Sequence, residues 1–397
     1  MKKMIGLVLA IVLVFSLAAC GGAASVPTSS GSGASGSTAS TPALEGEIVI
    51  GGLAPLTGGV SQYGIAAING ALLAVEEINA AGGILGQSIR FVYEDEKGDP
   101  TEAVTAYNKL VQNDGIVALV GDVTTKPTIA VAQLAAEDGI PMITPTATGA
   151  EVTTIGENIF RTCFTDPYQG ELMAHYAQEK LGATTAAILY DTGDDYSSGI
   201  AESFKATAEA IGLTITTMEG YATGASDFNA QLTKIKEGNP DVIMAPCYYE
   251  DAAKITTQAR GIGIESIFLG SDGWDGTLNQ VDESNASVLN DSYYCSQYPM
   301  QDATAGLQAF LDKYEEAYGE SALMFSVLGY EAMHMMAMAI EEAGSTDSAA
   351  IVAALKTITY EGPVGPISFA NGNDPSRDAY IIEFVDGEEV VKEGYSF

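Results

Sequence analysis

The side chains able to carry covalent or metal chemistry are few and scattered. The 397 residues hold two histidines, His175 and His334, and four cysteines, Cys20, Cys163, Cys247 and Cys295. No two of them have the close spacing of a zinc or dithiol site. Each histidine falls in a helical stretch and reads as a packing residue. There is no G-x-S-x-G elbow and no Gly-Lys dipeptide, so nucleophile-elbow and phosphate-loop chemistry lack their residues. Gly31, Gly33 and Gly36 match G-x-G-x-x-G, but no strand precedes them and no helix follows. Met333, Met335, Met336 and Met338 share one helical stretch and suit a packed core better than a soft-metal site. The sequence predicts no enzyme: no catalytic residue, no metal and no cofactor.

A different chemistry is concentrated in five short polar segments. They are Thr124-Thr125-Lys126-Pro127, Thr144-Pro145-Thr146-Ala147-Thr148, Asp191 to Tyr196, Cys247-Tyr248-Tyr249 and Gly270-Ser271-Asp272-Gly273-Trp274. Threonine hydroxyls and free N–H groups at a helix start favour an anion. Asp272 supplies a carboxylate, which when buried needs a cationic partner. Tyr196 and Tyr248 add apolar faces. Brought together, these groups suit a zwitterion with an apolar side chain.

Each segment follows an apolar run that reads as a strand. The runs are 48–53, 89–93, 116–120 and 141–144, then 186–190, 213–218, 241–245 and 266–269. Helical spacing falls between them, over 64–80, from Asp99-Pro100, and over 127–138, from Gln169, and over 201–211, 227–237 and 251–261. Such alternation predicts parallel sheets covered by helices on both faces, and two series predict two doubly wound domains. Ligands of such folds bind beyond the carboxyl ends of the strands, where the five segments lie. The last third reads as three helices (304–318, 326–343 and 348–355) and a hairpin around Asp386-Gly387.

The N-terminus reads as a processing signal. Lys2 and Lys3 precede an apolar run from Met4 to Leu17, and Leu17-Ala18-Ala19 leads into Cys20. That run is too short to span a membrane well and fits a signal peptide, 1–19. Residues 21–44 are nearly all Gly, Ala, Ser, Thr and Pro, without charge, and cannot bury enough surface to fold. As a flexible coil they reach about 25–30 Å, so 20–46 is expected to be a tether. The formal charge of −35 disfavours nucleic acid and anionic lipid as partners. The cysteines beyond Cys20 are expected to be buried and unpaired.

With these residues the chain resembles the periplasmic binding proteins for leucine, isoleucine and valine, a type I two-lobed fold and the lipoprotein component of ABC importers. The resemblance covers nearly all of 47–397. Its marks are Leu56-Thr57-Gly58 with Tyr63-Gly64, Ile78-Asn79-Ala80-Ala81-Gly82-Gly83-Ile84, Asp138-Gly139-Ile140-Pro141 and Gln258-Ala259-Arg260. It implies lipidation at Cys20 and an extracytoplasmic, membrane-tethered monomer that delivers its ligand to a permease. It implies an N-terminal lobe of 47–165 plus 298–373 and a C-terminal lobe of 166–297 plus 374–397, crossing near Thr165, Tyr298 and Asn373. At the site, Thr124, Thr125 and the Thr146-Ala147-Thr148 backbone would grip the ligand's α-carboxylate and α-ammonium. Asp272 would pair the ammonium, Tyr196 and Tyr248 would close over the ligand, and Tyr63 would line its side-chain pocket. Asp272 stands where branched-chain members carry glutamate, Thr125 where they carry serine, and Thr124 at one position of their N-lobe disulfide. The ligand expected is a small aliphatic amino acid. An amide, urea or an aromatic acid on the same fold, or a sensor feeding a receptor, is the alternative.

Overall fold

The computed structural model describes residues 44–370 and 372–397. Strands β1 (Glu47–Ala54), β2 (Ser88–Asp95), β3 (Ala118–Val120), β4 (Met142–Thr144) and β5 (Ile159–Arg161) form a parallel sheet in the order β2-β1-β3-β4-β5. Side chains alternate across it. Ile48, Ile50, Val120, Ile143 and Phe160 enter one core; Leu53, Leu119, Met142 and Ile159 enter the other. Both faces are thus apolar, as a parallel sheet between helix layers requires. Helices α1 (Ser61–Ala80), α9 (Met324–Ala343) and α10 (Ser348–Leu355) cover the first face, and α2 (Pro100–Lys109) and α3 (Thr125–Asp138) the second. Helices α1 and α9 approach so closely that a Cβ at Gly70 would lie 1.8 Å from Ser326 O, and one at Gly329 2.1 Å from Ala67 O.

The second sheet has the order β14-β13-β10-β9-β8-β6-β7. Strands β6 (Thr185–Asp191), β7 (Thr214–Tyr221), β8 (Val242–Met244), β9 (Ile267–Gly270) and β10 (Ser292–Ser296) are parallel. Helices α4 (Asp166–Glu179) and α5 (Asp195–Ile211) cover one face, and α6 (Asn229–Gly238) and α7 (Tyr249–Gly261) the other. The terminal hairpin, β13 (Tyr380–Val385) and β14 (Glu388–Gly394), adds antiparallel strands at the β10 edge. It turns at Asp386 and Gly387, both at positive φ as a tight primed turn needs. Helix α8 (Ala305–Tyr318) and the small pair β11 (Thr359–Glu361) and β12 (Pro366–Ser368) complete the elements. The chain passes between the sheets at 162–165, 297–304 and 369–379.

Several helices start earlier than spacing alone suggests, because polar residues cap them. Thr165 accepts the Tyr168 N–H at the head of α4, and Asp194 accepts that of Ser197 in α5. Strands β5 and β10 have no counterpart in the sequence reading. The first is three residues long, and the second, Ser-Tyr-Tyr-Cys-Ser, is wholly buried but starts and ends on serine. Cys163, Cys247 and Cys295 are buried and unpaired. Cys20 lies outside the described residues.

Candidate functional site

The carboxyl ends of β3 and β4 face those of β6, β8 and β9 across a narrow cleft. The space between them, counted out into open solvent, is about 250 Å³. Tyr63, Thr124, Thr125, Thr146, Thr148, Tyr196, Tyr248 and Asp272 line it, joined by Val123, Gly273 and Phe325. Ala147, expected with them, lies behind the lining. Its N–H donates to Thr144 Oγ1 at 3.0 Å and its carbonyl accepts from Arg161 Nη1 at 2.8 Å, so both its backbone groups are engaged away from the cleft.

On the first sheet's side the cleft meets the N-terminus of α3. Thr124 caps α3 by backbone conformation only, with no side-chain bond, and Pro127 has no N–H to offer. Among the described residues, the N–H groups of Thr125 and Lys126 have no partner at the positive end of the helix dipole. Thr125 Oγ1 accepts the Gly149 N–H at 3.2 Å, and Thr146 Oγ1 donates to Val123 O at 2.5 Å. These bonds stitch the loops after β3 and β4 into one rigid corner. Among the described residues, the Thr148 N–H and the Thr146 carbonyl have no partner in the protein.

The facing wall carries the opposite character. Asp272 is 2% exposed, and burial pushes its carboxyl up to about 6, against the hydrogen bond from Tyr196. Tyr196 Oη lies 2.7 Å from Asp272 Oδ1 and 2.6 Å from Ser271 Oγ, and accepts the Gly273 N–H at 2.9 Å. Gln169 Oε1 accepts the Asp272 N–H at 2.9 Å. Asp166, also buried, has an oxygen without a partner, and burial raises its carboxyl well above the usual range. Among the described residues no cation pairs with Asp272. The pocket therefore sets a buried carboxyl opposite the positive end of a helix dipole.

Aromatic rings fill the rest. Tyr196 and Tyr248 stack at 4.8 Å with planes 7° apart. Tyr63 packs on Phe325 at 4.3 Å and edge-on against Tyr248 at 5.8 Å. Tyr63, expected as a pocket wall, is also a tie across the cleft: its Oη donates to Gly273 O and accepts the Tyr249 N–H at 3.0 Å. Lys126 Nζ to Gly193 O at 2.9 Å and Met324 N to Asp275 Oδ2 at 2.7 Å are further ties. Val123 and Phe325 were missed in the sequence reading. Val123 directly precedes the Thr124-Thr125 segment, which was a usable signal; Phe325 lies some fifty residues past Asp272 on α9 and had none.

Residues 47–389 match the sequence model of the periplasmic binding protein family. The chain belongs to that family. As a periplasmic binding protein it is 34% identical over 351 residues to Leu/Ile/Val-binding protein homolog 3 of Brucella melitensis, covering 87% of this chain and 93% of that protein. Its fold is similar to that of the branched-chain amino acid transporter substrate-binding protein LivJ of Streptococcus pneumoniae, solved with isoleucine. The TM-score is 0.81 at 34% identity, over 87% of this chain and 98% of that one. It is also similar to the leucine-binding protein LivK of Thermotoga maritima, with a TM-score of 0.83 at 29% identity, over 88% and 99%. The two doubly wound α/β units expected from the strand and helix alternation, and the type I fold implied by the resemblance, are the architecture of these structures. Among the described residues no helix is long and apolar enough to cross a membrane.

Proposed function

We propose that the protein captures a small aliphatic α-amino acid, of the branched-chain class, outside the cytoplasm and hands it to the permease of an ABC transporter. The observation that carries the reading is the pairing of Asp272, buried with no cation beside it among the described residues, with the open α3 N-terminus across one small cleft. An amino-acid zwitterion satisfies both ends at once: its ammonium pairs with Asp272 and its carboxylate meets the Thr125 and Thr148 N–H groups. Tyr63, Val123, Phe325 and Tyr248 present apolar surface to the side chain. The names of the Brucella, Streptococcus and Thermotoga relatives point the same way. An uncharged amide or an aromatic acid would leave Asp272 unpaired, which places these ligands behind.

In this reading the lobes are 47–165 plus 298–373 and 166–297 plus 374–397, and the protein works as a monomer tethered through a lipid on Cys20. Calorimetric titration of the protein from residue 45 onward with a panel of amino acids, acetamide, urea and benzoate tests it. Micromolar or tighter binding of leucine, isoleucine or valine is expected. Binding of benzoate or an amide with none of the amino acids would overturn it.

A further inference from the structure

Arg161 ends β5 at the first crossing, and its side chain is 0% exposed. Nη1 donates to Ala147 O and Nη2 to Gly149 O, both at 2.8 Å. Nη2 also reaches Thr153 Oγ1 at 3.1 Å, and Nε donates to Asp374 Oδ1 at 2.7 Å. Thr153 Oγ1 donates to that same carboxylate oxygen at 2.8 Å. Asp374 sits on the third crossing, where Asn373 O accepts the Arg161 N–H at 3.2 Å. One buried guanidinium thus joins two crossing segments to the loop after β4.

The geometry of the peptide unit gives that contact a consequence. In a trans peptide the C=O and the following N–H point in opposite directions. Arg161 draws the Ala147 carbonyl away from the cleft, so the Thr148 N–H of the same peptide is aimed into the cleft that Thr148 lines. The second prong, on Gly149 O, fixes the peptide after next, and the peptide between them donates the Gly149 N–H to Thr125 Oγ1. A lysine carries the charge but not the planar fork, and cannot hold both carbonyls in this geometry.

We propose that Arg161 is a positioning residue of the ligand site: it aims the Thr148 N–H at the ligand's carboxylate and, through Asp374, ties that donor to the third crossing segment. This rests on the reading of the cleft as an amino-acid site. Asp374, at 44% side-chain exposure, can be changed without opening a core.

The test uses L-isoleucine as probe, with calorimetry and amide NMR on wild type, Arg161→Lys, Asp374→Ala and Asp374→Glu. Asp374→Ala is expected to weaken binding about tenfold, and Asp374→Glu to restore most of it. In both Asp374→Ala and Arg161→Lys, the ligand-induced shift of the Thr148 amide should shrink while that of Gly273, on the facing wall, persists. Wild-type affinity in Asp374→Ala, or weaker binding with an unchanged Thr148 shift, would overturn the inference and leave the pair as plain structural support. Should Arg161→Lys not fold, the Asp374 variants decide alone. A wild type that ignores L-isoleucine would instead overturn the reading of the site itself.

Discussion

Replacing Asp272 by asparagine should weaken ligand binding and strengthen the empty protein at once. The side chain keeps its shape and its contact with Tyr196, and only the charge is removed. Loss of a buried charge partner costs about 2–5 kcal/mol, a weakening of about 30-fold to several thousand-fold. In the unliganded protein, burial raises the carboxyl from 3.8 to about 6, so the folded chain binds this proton more tightly than the unfolded chain. The ionised group therefore lowers stability above pH 6, by about 3 kcal/mol at 1.36 kcal/mol per unit, and the effect fades as pH falls toward 4. The neutral amide of the Asp272→Asn variant has no such effect. At pH 8 the empty variant should be the more stable protein, and the difference should vanish near pH 4. Wild-type affinity should also fall as pH drops through about 6, up to tenfold per unit, because the ammonium needs the ionised carboxylate. The variant should lack that slope. Calorimetric titration from pH 5 to 8, with denaturant unfolding of the empty forms, measures both effects. An Asp272→Asn protein that binds as tightly as wild type, with the same pH slope, would refute the charge-pair argument.

Four further outcomes are expected. The empty wild type should unfold at higher temperature at pH 5 than at pH 8, since burial also raises Asp194, Asp166 and the paired acids Glu96 with Asp122; a scanning calorimeter reads this, and a flat or opposite trend counts against it. Tyr63→Phe leaves Gly273 O and the Tyr249 N–H without their tie, so affinity should fall by about 1–3 kcal/mol, mainly through faster release in stopped-flow; an unchanged off-rate refutes the tie. Small-angle scattering should show a smaller radius of gyration with saturating ligand than without, as hinge closure requires. Cys20→Ala should free the protein from membranes or leave its signal uncleaved, and fractionation with blotting would expose the opposite result.

The features legible in the chain alone are local or periodic. The apolar runs, the helical spacing and the Asp386-Gly387 turn were readable because each element's neighbours along the chain carry the pattern. The five polar segments were readable because each directly follows a strand, and strand ends in such sheets share one rim. What those segments do together depends on contacts between elements far apart along the chain. Tyr63 belongs to α1 and Gly273 to the loop after β9, more than two hundred residues on, so their bond across the cleft has no local trace. Ala147 looks like its neighbours Thr146 and Thr148 in sequence, yet a buried guanidinium from β5 takes its carbonyl and leaves it behind the lining. Strand β10 begins and ends on serine and is buried all the same, because β9 and β13 flank it on either side. Asp272 could be named from its place in a loop, but its raised carboxyl depends on the packing that shuts out water. Position along the chain identifies the groups; burial and the meeting of distant elements set their chemistry.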